Sequence, residues 1–202
     1  MKSPYLVVAS AMVFLVQAPI TCPAQSAAKP DLPPRNPLQA LTRSLAGSWK
    51  LDVRFETDPS TGDKVIEGSG QESWRAGPGG ITLIEQEHFP SPQGDTFLMG
   101  VIWWDSTRQQ LGGIECNSNM PTTCDLKGGL NDVTITWDGR KFQIDELENH
   151  NGRRTVWHEA WTSITADSFL QTGDVTRPDG TTTRFMTVHG RRVKGLKTIG
   201  GE

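Results

Sequence analysis

The chain has no excess of positive charge: 20 Lys and Arg stand against 23 Asp and Glu, for a formal net charge of −3. A mildly acidic surface disfavours nucleic acid and anionic membrane as partners, because both are held first by clustered cations. The common catalytic and cofactor spacings are also missing. HExxH has its nearest approach in His158-Glu159-Ala160-Trp161, and GxSxG, the P-loop and GxGxxG do not occur. There is no βαβ spacing, and no long apolar run follows residue 24. Tyrosine occurs once, against seven Trp and seven Phe, so the large aromatics bring area without phenol chemistry.

The one apolar run lies at the N-terminus, from Leu6 to Val16. It is well short of the ~20 residues that span a bilayer, and it suits the apolar region of a signal peptide. Lys2 precedes it and Cys22-Pro23-Ala24 offers a small residue at the cut, so residues 1–24 read as a signal peptide with Gln25 first in the mature chain. A cut after Ala28 is the second candidate, whereas one after Ala18 would meet Pro19. An uncleaved anchor is the rival reading. A lipoprotein is not, since Pro19-Ile20-Thr21-Cys22 lacks the expected Leu and the small residue before Cys. The expectation is a periplasmic or secreted protein with no stable membrane insertion after cleavage.

Export changes the reading of the cysteines. Of three, Cys22 leaves with the signal, and Cys116 and Cys124 remain eight positions apart. In an oxidising compartment such a pair is expected to form a disulfide. Two thiolates with no His nearby make a poor zinc site, so no metal is expected.

Residues 25–36 are rich in Pro and small residues and read as a disordered linker; 37–195 form the domain and 196–202 a flexible tail. Asn36-Pro37 suits a helix N-cap followed by Pro at the first helical position. Leu38, Leu41 and Leu45 then follow at helical spacing, with Gly47 as the stop. From Ser48 the period is two, with Trp49, Leu51, Val53 and Phe55 alternating with polar residues. Turn signals recur at Ser60-Thr61-Gly62-Asp63, Gly77-Pro78-Gly79-Gly80, Ser91-Pro92-Gln93-Gly94, Asp138-Gly139, Asn151-Gly152 and Asp179-Gly180. The predicted fold is all-β: one short helix, then about ten antiparallel strands in an up-and-down barrel.

Two-residue hairpins act as a ruler for the inner face. Around Asp138-Gly139 they pair Trp137 with Arg140, Ile135 with Phe142 and Val133 with Ile144. Across Asn151-Gly152 they pair Phe142 with Trp161, Ile144 with Glu159 and Glu146 with Trp157. One face therefore carries Val133, Ile135, Trp137, Phe142, Ile144, Trp157 and Trp161 together with Glu146 and Glu159. The other carries Gln143, Asp145, Leu147, Val156, His158 and Ala160, with Asp145 opposite His158 as a surface pair. Trp103 and Trp104, being adjacent, must point to opposite faces. Acids on an aromatic inner face are either polar anchors of a ligand cavity, or rim residues in solvent, or residues turned outward by a bulge.

Gly47-Ser48-Trp49, placed after a short helix at the first strand, resembles the GxW signature of calycins and lipocalins. Arg191-Arg192 near the end resembles their closing arginine, which packs on that Trp. Gly100-Val101-Ile102-Trp103-Trp104-Asp105 and the stretch from Asp179-Gly180 to Phe185-Met186-Thr187-Val188 look like an uncharacterised family of bacterial calycin-like domains of unknown function. The resemblance spans Leu45 to Val193. It implies a barrel that binds small apolar molecules, and haem in a nitrobindin-like branch. His189 does not align with a proximal ligand there, so no cofactor is the primary expectation and haem a minor one.

Three functions stay open. The first is an exported protein binding a small hydrophobic molecule at Trp137, Phe142, Ile144, Glu146, Trp157, Glu159 and Trp161. The second is an enzyme using Glu146 or Glu159 as general acid or base. The third is an interaction module with a filled barrel.

Overall fold

The computed structural model describes residues 36–56, 65–119, 124–125, 133–150 and 153–194. The expected signal, the linker through residue 35, the turn signals at 60–63 and 151–152 and the tail lie outside the described residues. Helix α1 runs from Pro37 to Leu45, and the Asn36 side chain accepts a hydrogen bond from the Leu38 backbone N–H at 2.9 Å. Leu38, Leu41 and Leu45 are all buried in one core cluster, each stabilising by roughly 1.5–3 kcal/mol. The helix lies against the strands Ile66–Ala76, Thr82–Ser91 and Gly94–Asp105.

Eleven strands follow among the described residues: β1 Gly47–Phe55, β2 Ile66–Ala76, β3 Thr82–Ser91, β4 Gly94–Asp105 and β5 Gln110–Asn117, then β6 Cys124–Asp125, β7 Val133–Trp137, β8 Phe142–His150, β9 Arg153–Thr162, β10 Ser168–Thr176 and β11 Thr182–Val193. Ten of them close a ring in the order β1, β2, β3, β4, β5, β7, β8, β9, β10, β11 and back to β1, every pairing antiparallel. The short β6 adds only to β5, where Cys116 partners Cys124. The ring is thinnest between β5 and β7, joined at Leu111 and Ile135.

The Asp138-Gly139 turn departs from the expected two-residue form. Trp137 partners Phe142, Ile135 partners Ile144 and Val133 partners Glu146. Asp138 sets the longer turn, because its Oδ1 accepts from the backbone N–H groups of Arg140 at 2.8 Å and Lys141 at 2.7 Å. The slip is by two residues, so every side chain keeps its face. The β8–β9 register pairs Phe142 with Trp161, Ile144 with Glu159 and Glu146 with Trp157, without interruption. The register shift lies elsewhere, between Gly173 and Asp174 of β10.

Gly47 is not the helix stop. Ala46 caps α1, and Gly47 opens β1 at φ +138, a conformation that favours glycine. A Cβ at Gly47 would also collide with the Arg192 guanidinium. That guanidinium sits 4.0 Å from the centroid of the buried Trp49 ring. It donates to the carbonyls of Ala46, Ala166 and, at 3.2 Å, Ser44. The neighbouring Arg191 points outward and donates to Asp52 Oδ2 at 2.7 Å. Arg192 thus ties helix end, first strand and last strand together. Lysine keeps the charge but not the planar fork, so Arg192→Lys is expected to destabilise by roughly 1–3 kcal/mol, measured by chemical denaturation.

Candidate functional site

Cross-strand pairing places a second set of acids on the inner face. Trp49 partners Glu72 and Gly47 partners Trp74 across β1–β2. Glu72 then partners Glu87, Trp74 partners Glu85, and Glu85 partners Gly100, which partners Glu115. Glu72, Glu85 and Glu87 are 1%, 5% and 5% exposed. A Cβ on Gly100 would lie 2.6 Å from Glu85 Oε2, so the glycine makes the space that this carboxyl occupies.

The barrel is filled at one level by aromatic rings. Trp74 on β2 meets Phe142 on β8 and Trp161 on β9, edge to face, with centroids 6.1 Å apart in both pairs. Phe142 and Trp161 are 4.9 Å apart, and all three rings are buried. Opposite walls therefore touch through an aromatic plug. Beyond it, Glu115, Ile144, Glu146 and Glu159 also belong to the inner face but are only half-buried. Protein encloses Glu159, yet part of its surface stays accessible.

The carboxyls act on one another. Burial pushes Glu72 up to about 7, while Glu85 and the indoles of Trp74 and Trp161 pull it back. Glu85 and Glu87 are held well above the usual carboxylate range, first by burial and then by the charge of Glu72. Glu159 is pushed up to about 8 by burial and by the charge of Glu115, against the opposing hydrogen bond of Gln171. That bond, from Gln171 Nε2 to Glu159 Oε2, spans 3.3 Å. Several polar atoms at this level complete no hydrogen bond of normal geometry: both Glu72 oxygens, Gln171 Oε1 and the indole nitrogens of Trp74 and Trp161. The two indoles still stand close enough to Glu72 to act on it as donors. A native interior seldom leaves such groups unpaired.

Residues 34–192 match the model of a family described as a protein of unknown function, DUF1579. The chain belongs to this family. No curated protein matches it.

The DUF1579 barrel distributes the expected binding residues over three places. Phe142 and Trp161 form the plug with Trp74. Ile144 and Glu159 partner each other on the inner face, with Glu146 opposite Trp157 one pair further on. Trp157 is 37% exposed, packs edge-on to Phe185 at 5.3 Å and donates from Nε1 to Glu148 Oε2 at 3.0 Å. Trp137 stands apart, in a groove of about 480 Å³ at the β5–β7 seam that it lines with Pro37, Trp104 and Leu111. Trp103 lies on the outer face, over Gly112.

The histidines take other positions. His158 is on the outer face, with Nδ1 2.7 Å from Asp145 Oδ1 and Nε2 3.1 Å from Thr176 Oγ1. His88 stacks on Phe97 at 4.3 Å, and His189 is exposed. None of these three imidazoles lies on the inner face of the barrel.

Proposed function

We infer that this DUF1579 protein is an exported binding protein that takes a small molecule with an apolar body into the open half of its barrel. The observation that carries the reading is the partial accessibility of inward-facing residues above a closed aromatic floor. A concave site with apolar walls and a few placed polar groups is the usual form of a small-ligand pocket. The Trp49–Arg192 contact after α1 supports kinship with calycins, whose barrels bind such molecules. Export rests on the apolar run Leu6–Val16 and the small residues that follow it. The cross-strand partnership of Cys116 and Cys124 supports the disulfide that export would allow.

The neutral probe N-phenyl-1-naphthylamine tests the reading. It is expected to bind at micromolar concentration with enhanced emission and quenched tryptophan fluorescence. Trp157→Ala, at the rim, is expected to weaken it by about tenfold, the order of 1–2 kcal/mol for a lost aromatic wall. No saturable uptake by the folded protein would overturn the proposal.

One observation favours acid–base chemistry as a second reading. A carboxyl near 8, as at Glu159, lies in the range where proton transfer is effective at neutral pH. That reading requires an activity abolished in Glu159→Gln with the fold kept.

A further inference from the structure

The enclosed carboxyls have no cationic partner among the described residues. Among the described residues, every charged group acting on Glu85, Glu87 and Glu159 is another carboxylate. Interiors accept ionisable acids when a cation or a full set of hydrogen bonds meets them. Here no cation does and the hydrogen bonds are incomplete: Glu72, 1% exposed, has Glu85 and two indoles beside it but closes no bond of normal geometry, and Gln171, 2% exposed, leaves Oε1 unpartnered. These acceptors come from β2 and β10, and the neighbouring acids from β3 and β9, so they converge across the lumen rather than along one strand.

We propose that the lumen is a site for an organic cation: an ammonium group, methylated or bearing N–H donors, carried on an apolar body. Its positive end sits among Glu72, Glu85, Glu87 and Glu159 above the Trp74–Phe142–Trp161 floor, and its apolar part extends toward Ile144 and Trp157. Among the described residues the acids nowhere converge as a metal cage. An ammonium suits them better than a bare ion, because its charge is spread over several atoms and needs no tight cage of oxygens at short distance. Indole and phenyl walls add cation–π attraction to methyl or methylene groups beside the nitrogen. The proposal rests on the lumen being a binding site and names the chemistry it selects.

The test is displacement of N-phenyl-1-naphthylamine by two molecules of one shape, benzyltrimethylammonium and its neutral isostere neopentylbenzene. At pH 8.5 the cation is expected to displace the probe at about tenfold lower concentration or less, as one desolvated charge contact provides. That advantage is expected to vanish in the Glu72→Gln, Glu159→Gln double variant, with neopentylbenzene displacing as before. It is also expected to shrink at pH 5.5 in the unaltered protein, which keeps the test decisive if the double variant fails to fold. Equal potency of the two molecules at pH 8.5, or a cation preference unchanged in the double variant, overturns the proposal while leaving the binding site standing. Failure of both molecules to displace the probe overturns the proposal and the binding site together.

Discussion

The melting temperature of this barrel is expected to fall as the pH rises from 5 to 9. The cause is the inner carboxyls, whose pKa values in the fold lie above the ordinary value near 4.5: Glu72 at about 7, Glu159 at about 8, Glu85 and Glu87 well above it. Such a group contributes its stability in full below about 4.5, where both folded and unfolded chains hold the proton. The contribution is lost as the pH climbs through the folded value, because the unfolded chain ionises freely while the folded one must ionise in a desolvated interior. For Glu72 alone the difference is roughly 3 kcal/mol, which in a domain of this size lowers the midpoint by roughly 10 °C. Among the described residues the groups facing Glu72 are Glu85, Glu87, Glu159 and the two indoles, none of which supplies a compensating cation. Asp138 and Asp179 shift in the opposite direction, held below the ordinary value by backbone hydrogen bonds, so their contributions are lost only below that range. Glu72→Gln is expected to raise the midpoint at pH 9 and leave it nearly unchanged at pH 5. Scanning calorimetry across that range measures both, and a midpoint that climbs toward pH 9 would contradict the buried-acid account.

Trp49→Ala is expected to be the most damaging single substitution. The ring is fully buried, meets Phe169 edge-on at 4.8 Å, lies under Arg192 at 4.0 Å and donates from Nε1 to Leu45 O at 2.9 Å. Truncation removes the packing of helix, first strand and last strand at one stroke. Losses of this kind run to roughly 3–5 kcal/mol, or roughly 10–15 °C in midpoint. Trp49→Phe keeps most of the contact area and loses the hydrogen bond, so roughly 1–2 kcal/mol is expected. Urea unfolding of the two variants compares them, and an alanine variant within 1 kcal/mol of the phenylalanine one would contradict the bracing role.

Much of the architecture was legible because strand alternation and turn chemistry are local. Trp49, Leu51, Val53 and Phe55 announce β1, and the β8–β9 register followed from counting outward from Asn151-Gly152. The four-residue turn at Asp138 was not, since Asp-Gly suits a two-residue hairpin equally well and the Oδ1 bonds to Arg140 and Lys141 decide the length. The choice between Arg191 and Arg192 depends on the β1–β11 register, which joins the two ends of the domain and has no turn to count from.

The larger omission was Glu72, Glu85 and Glu87. A signal for them exists: Glu85 and Glu87 share parity with Leu83 and Phe89, and Glu72 with Trp74. An acid is ordinarily assigned to the solvent face, so alternation alone was insufficient without knowing that β2 and β3 line the same lumen as β9. The separation of Trp137 from Glu159 is likewise a property of closure, since both lie on the inner face of strands only one apart in the sheet, β7 and β9.

A crystal structure of the protein with N-phenyl-1-naphthylamine tests the central claim most directly. The account predicts one probe molecule inside the barrel, above the Trp74–Phe142–Trp161 floor and against Ile144, Glu159 and Trp157. A probe bound only in the seam groove of Trp104 and Trp137, or a lumen filled by the chain's own side chains, would contradict it.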